Sequence, residues 1–226
     1  MAMPGRCGWT NARASLAKRR ATCSSGRGGA MTDMILPAGK AELASVAETL
    51  AQAFHTDPAL SWILPDPDHR ARALRSLFRV LAPADARAGV ALRSSGDEAA
   101  ALWRAPGQAH SGTLEFLRTV IPLVATFGAA LPRGLKVQSS IDAHRPKGRF
   151  WYLHYVGVRA EHQGKGHGGR IIRAQTAVAD AEGLPCWLET ATPENVPLYE
   201  RLGFVTQVEW DIPGGPHFWG MMRPAS

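Results

Sequence analysis

The stretch "VGVRAEHQGKGHGGRIIRAQ", Val156 to Gln175, decides the fold of this chain. An apolar segment leads through a polar loop into four glycines within six residues, Gly164 to Gly169, and then into an amphipathic helical pattern. Peptide N–H groups in the first turn of a helix lack partners and carry the positive end of the helix dipole, which suits a phosphate or pyrophosphate. Glycine at that point removes the Cβ that would hold an anion away, and Lys165, Arg170 and Arg173 add positive charge nearby.

Working outward, "RFWYLHYVGV" (Arg149 to Val158) is rich in β-branched and aromatic residues without clean alternation. That composition predicts a central strand covered on both faces. Beyond the glycines, Ile171, Ile172, Ala174, Val178 and Ala181 mark a helix that Gly183 and Pro185 stop, and "PCWLET" is the next strand. A strand, helix, strand unit of this kind is parallel and right-handed. Asn195 is placed to cap a short helix "VPLYERL", with Pro197 in its first turn and Gly203 past its end. "FVTQVEWDI" and "PHFWGMMR" close the chain as two strands joined by "PGG".

The first half is less sharply written. A short strand near Met34 to Pro37 precedes a helix carrying Leu43, Val46, Leu50 and Phe54, which "HTDP" ends. "DHRARALRSLFRVLA" repeats the helical spacing with Leu74, Leu77, Phe78 and Leu81. Val90 to Ala105 reads as a hairpin around "SSGDE". A helical stretch from Thr113 to Ala143 is interrupted by Pro122 and by Pro132 with Gly134, which predicts two helices.

Composition bounds the function. Of 26 Lys and Arg, six lie in residues 1–30, where there is no acidic residue, leaving 20 against 19 acidic residues in 31–226. Of the net charge of +7, +6 therefore sits in the first segment, and a basic folded domain built for nucleic acid is poorly supported. Residues 1–30 have no apolar core of a secretory signal and no periodicity, so they are expected to be a disordered basic extension to a domain spanning 31–226. An Arg-rich, acid-free composition also fits an organellar transit peptide. Met31 followed by "TDMILPAGKAEL" looks like a domain start, which makes vector sequence or a misassigned start the competing reading. Cys7 and Cys23 lie in that segment, leaving Cys186 alone in the domain, which builds no disulfide framework or metal site and fits a reducing cytoplasm. The longest apolar stretch, Thr119 to Leu131, falls short of the roughly 20 residues a membrane span needs.

A dinucleotide fingerprint competes for the glycines: Gly164, Gly166 and Gly169 satisfy G-x-G-x-x-G, and Glu189 follows 20 residues later. Two features oppose it. "RAEHQ" separates the strand from the glycines, and only 57 residues follow Gly169, too few for a Rossmann domain. The phosphate loop G-x-x-x-x-G-K-[ST] is absent from the chain.

Gln163-Gly164-Lys165-Gly166-His167-Gly168 resembles the cofactor loop [QR]-x-x-G-x-[GA] of the GNAT superfamily of N-acetyltransferases, and "LETATPENVPLYERLGF" resembles its second cofactor motif. Within the superfamily the chain is most similar to puromycin N-acetyltransferase-like proteins, through "HRPK", "VGV", "HQGKG" and "PGGPHFW" in that order. The likeness is close after His144 and loose before it. It implies an α/β fold with a central mixed sheet flanked by helices. The reaction it implies is direct transfer of an acetyl group from acetyl-CoA to a small-molecule amine within a ternary complex. It implies further that Gln163, Gly164, Lys165, Gly166, His167 and Gly168 hold the CoA pyrophosphate, and that Tyr155, Val156 and Val158 pair through backbone with the pantetheine arm. Asn195 is implied as a cofactor contact, and Tyr199 as the group facing the thioester sulfur.

Elementary chemistry agrees on one point: Asn195 and Tyr199 are four apart, so on a helix they share a face, and a phenol can give its proton to a departing thiolate. For a base, His154 on the central strand and Glu189 at the end of the next are the candidates, with Glu189 ahead because the likeness keeps "LET". An amine that arrives neutral needs no base. Cys186 is expected as a small buried residue rather than an acetyl carrier. His55, Asp57, Trp62 and His110 fall in segments that would form the acceptor pocket, each equally readable as loop or packing, while Trp103, Trp151, Trp187, Trp210 and Trp219 read as core. The competing functions are a CoA-binding module without turnover and a dinucleotide-dependent oxidoreductase.

Overall fold

The strands in chain order are β1 (Ile35–Pro37), β2 (Gly89–Ser94), β3 (Ala99–Arg104), β4 (Trp151–Val158), β5 (Cys186–Thr190), β6 (Val205–Asp211) and β7 (His217–Arg223). They form one seven-stranded sheet in the order β1-β2-β3-β4-β5-β7-β6. The computed structural model describes residues 34–109, 124 and 126–226. The basic segment 1–30, His110 and the part of the expected helical stretch from Thr113 to Pro122 lie outside the described residues.

The expected central strand is central: β4 is the fourth of the seven and pairs antiparallel with β3 and parallel with β5. Every other pairing is antiparallel, including the β2–β3 hairpin. β7 lies between β5 and β6, so the last hairpin folds back into the sheet.

The helices described from end to end are α1 (Leu43–Ala53), α2 (Pro58–Ile63), α3 (Pro67–Ala88), α4 (Leu131–His144), α5 (His167–Ala181) and α6 (Val196–Glu200). On β3, Ala100 and Leu102 join one core with α1, α2 and α3, while Ala99, Ala101 and Trp103 join another with α5 and Tyr199 of α6. That alternation is the period of 2 of a strand covered on both faces. Ile171 and Ile172 of α5 are fully buried, each contributing roughly 1.5 to 3 kcal/mol of transfer free energy.

The structure corrects several sequence expectations. "HTDP" does more than end α1: the Asp57 carboxylate accepts from Leu60 N at 2.9 Å and Pro58 enters the first turn, so the same residues start α2. The second expected helix runs on through Pro83 to Ala88, because Ala82, Ala84 and Asp85 are buried there and packing outweighs one missing N–H. Pro132 lies in the first turn of α4, where no N–H is needed, so it opens a helix rather than interrupting one. On α5 the inward face carries Gln175, Thr176 and Ala179, whereas Val178 is half-buried and Ala181 exposed. Asn195 precedes α6 without a capping hydrogen bond from its side chain. Trp103, Trp187 and Trp210 are buried as expected, but Trp151 and Trp219 are only half-buried, and the Trp151 indole donates to Glu182 at 2.8 Å. Among the described residues no helix is long and apolar enough to cross a membrane.

Candidate active site

The site begins where the sheet comes apart. Pairing between β4 and β5 runs Trp151–Cys186, Tyr152–Trp187 and Leu153–Leu188 and stops there, although β4 continues to Val158 and β5 to Thr190. From His154 onward the edge of β4 that faces β5 has no strand partner among the described residues. Unpaired backbone N–H and C=O groups along an extended edge are what an amide-bearing chain can pair with.

A bulge sits at the same point. Leu102 of β3 faces Tyr155 and Trp103 faces Leu153, leaving His154 as the extra residue. The bulge reverses the alternation: Leu153, Val156 and Val158 all pack on the α5 side. Tyr152, His154 and Tyr155 instead gather toward the other face, with His154 ring centroids 5.2 Å from Tyr152 and 4.3 Å from Tyr155. The Tyr155 ring is held edge-on by Phe54 of the α1 end and Phe78 of α3, at 5.4 and 5.0 Å.

The glycine loop lies between β4 and α5. Gly164 and Gly166 have φ of +74° and +80°, a region that a Cβ disfavours, and the chain turns there directly into α5. No side chain caps the start of α5, so its first N–H groups are open to a ligand. Gln163 Nε2 donates to Val158 O at 3.2 Å and ties the loop to the end of β4. A Cβ on Gly168 would stand 3.4 Å from Val158, an ordinary contact, so strand packing does not demand glycine there. Lys165 donates to Glu161 O at 2.9 Å, and Arg170 reaches His167 Nδ1 at 2.9 Å. The His167 side chain is buried, so its backbone rather than its imidazole is available to an anion.

Tyr199 is buried on α6 with its ring against Phe204 at 6.0 Å. Burial pushes its phenol above the ordinary tyrosine value, and the Asp57 carboxylate adds to the rise. The phenol therefore stays protonated at neutral pH and is able to give a proton. Asn195 is half-buried one turn earlier. Asp57 stands 3.5 Å from Thr192 Oγ1, in the loop between β5 and α6, and burial raises its carboxyl as well. The Trp62 indole donates to Gly214 O at 2.6 Å and the His55 ring lies 3.3 Å from Pro67 O, which gives both loop-holding contacts.

The two candidate bases are held very differently. Glu189 is sealed into a network, accepting from Trp187 Nε1 at 2.6 Å with Arg145 Nε at 3.5 Å. Arg145 in turn donates to the Tyr152 hydroxyl at 3.2 Å and to Asp142 at 2.7 Å. Burial raises the Glu189 carboxyl even against the pull of Arg145. His154 is 15% exposed against 3% for Glu189, and its Nδ1 lies 2.7 Å from the Asp85 carboxylate. Asp85 is fully buried on α3 and also accepts from Arg104 Nε at 2.7 Å. Burial alone would raise the Asp85 carboxyl, but His154 and Arg104 together hold it below its usual value.

Asp85, Arg104, Arg145 and Tyr152 are absent from the sequence reading of the site. One signal for Asp85 exists: it falls four residues after Leu81 on the stripe of Leu74, Leu77 and Phe78, and an acid on an apolar stripe needs a buried partner. Cys186 is buried, and burial pushes its thiol up to about 12, so little thiolate forms there at neutral pH. Among the described residues no cluster of His, Cys, Asp and Glu has the makings of a metal site.

Comparisons with known proteins converge on one group. Residues 125–204 match the Acetyltransferase (GNAT) family. An uncharacterized N-acetyltransferase of Schizosaccharomyces pombe is 28% identical over 173 residues, covering 71% of this chain and 70% of that one. A crystal structure described as histone acetyltransferase HPA2 and related acetyltransferase, from Corynebacterium glutamicum, is 28% identical with a TM-score of 0.65, over 86% of this chain and 97% of that one. Arylalkylamine N-acetyltransferase 2 from Aedes aegypti shares the fold at 14% identity, with a TM-score of 0.58 over 85% of this chain and 99% of that one.

Proposed function

We propose that the chain, an acyltransferase by its likenesses, works as a member of the GNAT acetyltransferase family and moves an acetyl group from acetyl-CoA to a primary amine of a small molecule. The observation that carries this reading is the opening of β4 from β5 after Leu153, beside the uncapped glycine-rich start of α5. Backbone N–H groups of residues 164–169 would take the pyrophosphate, and the free edge of Tyr155, Val156 and Val158 would pair with the pantetheine amides. Lys165 and Arg170 are tied to loop acceptors within reach of the same turn. Asn195 shares the face of Tyr199 toward the donor.

Acetyl-CoA supplies an activated thioester, whose carbonyl carbon gains a bond to the amine nitrogen as its bond to sulfur breaks. Tyr199 gives its phenolic proton to the leaving sulfur. His154, the more accessible of the two candidates, takes the proton from the attacking nitrogen, while Glu189, held by Arg145 and Trp187, shapes the floor of the site. With the Cys186 thiol buried, transfer is direct rather than through an acetyl-cysteine.

The likeness of "HRPK", "HQGKG" and "PGGPHFW" to puromycin N-acetyltransferase-like proteins supports an aminonucleoside as acceptor. The domain proposed for this work is 31–226, acting as a cytoplasmic enzyme on small molecules rather than nucleic acid or membrane. Mass spectrometry of the protein with acetyl-CoA and a pool of amines that includes puromycin tests it. Gain of one acetyl group by puromycin supports the acceptor class; gain by another amine keeps the reaction and replaces the acceptor. No acetylation of any amine, with CoA bound, favours the module without turnover.

A further inference from the structure

Asp85 and Arg104 have no place in the donor site, yet together they bury an ion pair directly behind the candidate base. We propose that Asp85, itself clamped by Arg104, is a positioning residue that fixes His154 in the tautomer with hydrogen on Nδ1 and leaves the Nε2 lone pair free to take a proton. The inference rests on His154 acting as the base of acetyl transfer.

The geometry constrains the protons. Arg104 Nε can only donate, and it donates to Asp85 Oδ1 at 2.7 Å. The other carboxylate oxygen lies 2.7 Å from His154 Nδ1. An ionised carboxylate only accepts, so Nδ1 must carry the hydrogen, and a neutral imidazole then has its lone pair on Nε2. The three residues come from three elements: Asp85 from the turn of α3 beyond Pro83, Arg104 from the end of β3, and His154 from the bulge of β4. The bulge keeps His154 on the face of Tyr152 and adds Tyr155 to it, against Phe54 and Phe78.

This arrangement does two things for a base. It holds one ring orientation, and its buried negative charge stabilises the imidazolium that forms when Nε2 takes the proton of the attacking amine. No proton passes to Asp85 itself. The charged or titratable groups that surround His154 are Asp85 from α3, Arg104 from β3, Tyr152 and Tyr155 from its own strand, and Glu189 from β5.

The test has two arms, chosen to separate this proposal from the reaction it serves. In the unaltered protein, nitrogen-15 NMR of the neutral His154 imidazole reads the tautomer without any acetyl acceptor. Hydrogen on Nδ1 is the expected result, and hydrogen on Nε2 overturns the proposal whatever the protein acetylates. In the second arm, Asp85→Asn keeps the shape but, with Arg104 donating to its oxygen, turns an amide N–H toward Nδ1 and forces hydrogen onto Nε2. Among folded molecules, kcat for acetyl transfer should fall about 10²- to 10⁴-fold, with the KM for acetyl-CoA within about twofold. A folded Asp85→Asn protein with kcat within threefold of the parent overturns the positioning role and leaves the acetyltransferase reading standing. Because the substitution removes the Asp85 charge from a buried cluster, the NMR arm decides the question where the variant does not fold.

Discussion

Replacing Tyr199 with Phe separates binding from proton donation more cleanly than any other single change in the site. The Tyr199 hydroxyl has no hydrogen-bond partner among the described residues, and the ring keeps its contact with Phe204 in the variant. Deleting a hydroxyl that has no protein partner costs little, so the unfolding free energy should move by no more than about 0.5 kcal/mol. For a chain of this size that is a melting shift of roughly 1 to 2 °C. Burial holds the phenol protonated at neutral pH, the form that the proposed donor role needs. Losing a general acid costs about 10²- to 10⁴-fold, which is about 2.7 to 5.4 kcal/mol of transition-state stabilisation. Turnover would be followed by release of the CoA thiol, acetyl-CoA affinity by calorimetry, and stability by thermal melting. Kcat should collapse while affinity and melting hold. A parallel loss of affinity and turnover would refute the reasoning and make Tyr199 a binding residue.

Four further outcomes follow from particular contacts. Gly166→Ala places a Cβ at φ +80°, costing roughly 1 to 2 kcal/mol of stability, and crowds the start of α5, so CoA affinity should fall at least about tenfold. Gly183→Ala carries similar strain at φ +64° beyond the other end of α5 and should lower the melting temperature without touching CoA affinity; equal affinity losses in both would remove the anion site from the loop. With Cys7 and Cys23 replaced by Ser, the remaining Cys186 should ignore a thiol reagent until the protein unfolds, since burial lifts its thiol to about 12; rapid labelling of the native state would contradict that. His217 bonds to Asp211 at 2.9 Å and lies 3.3 Å from Glu209, which raises it above the usual 6.5. The stability this adds is therefore complete below about pH 6.5 and is lost as pH rises through the raised folded value. Asp211→Asn should bring the titration of His217, followed by NMR, back down; no movement would detach it from Asp211.

How much of this was legible in the sequence depends on whether the signal was local. The α5 helix, its glycine loop and the strands on either side were readable because Gly164, Gly166, Ile171 and Ile172 act through their own backbone and their own spacing. The β2–β3 hairpin was readable for the same reason. Pro132 misled because proline forbids only a donor: it sits in the first turn of α4, and at Pro83 the burial of Ala82 and Ala84 carries α3 on. The bulge at His154 is invisible in one strand, since it is a mismatch of count between β3 and β4. Likewise Glu189 and His154 look equivalent as sequence; Arg145 and Trp187 distinguish one, and Asp85, 69 residues away, distinguishes the other. The acceptor side draws on segments with weak patterns, and His110 lies outside the described residues.

Hydrogen exchange with and without acetyl-CoA is the measurement that bears most directly on the donor site. If the opening between β4 and β5 is the donor cleft, acetyl-CoA should slow exchange at the amides of Tyr155 to Val158 and of Gly164 to Gly169 together, with little change in the β6–β7 hairpin. Protection confined to other segments, with those two unchanged in a protein that binds acetyl-CoA, would contradict the account.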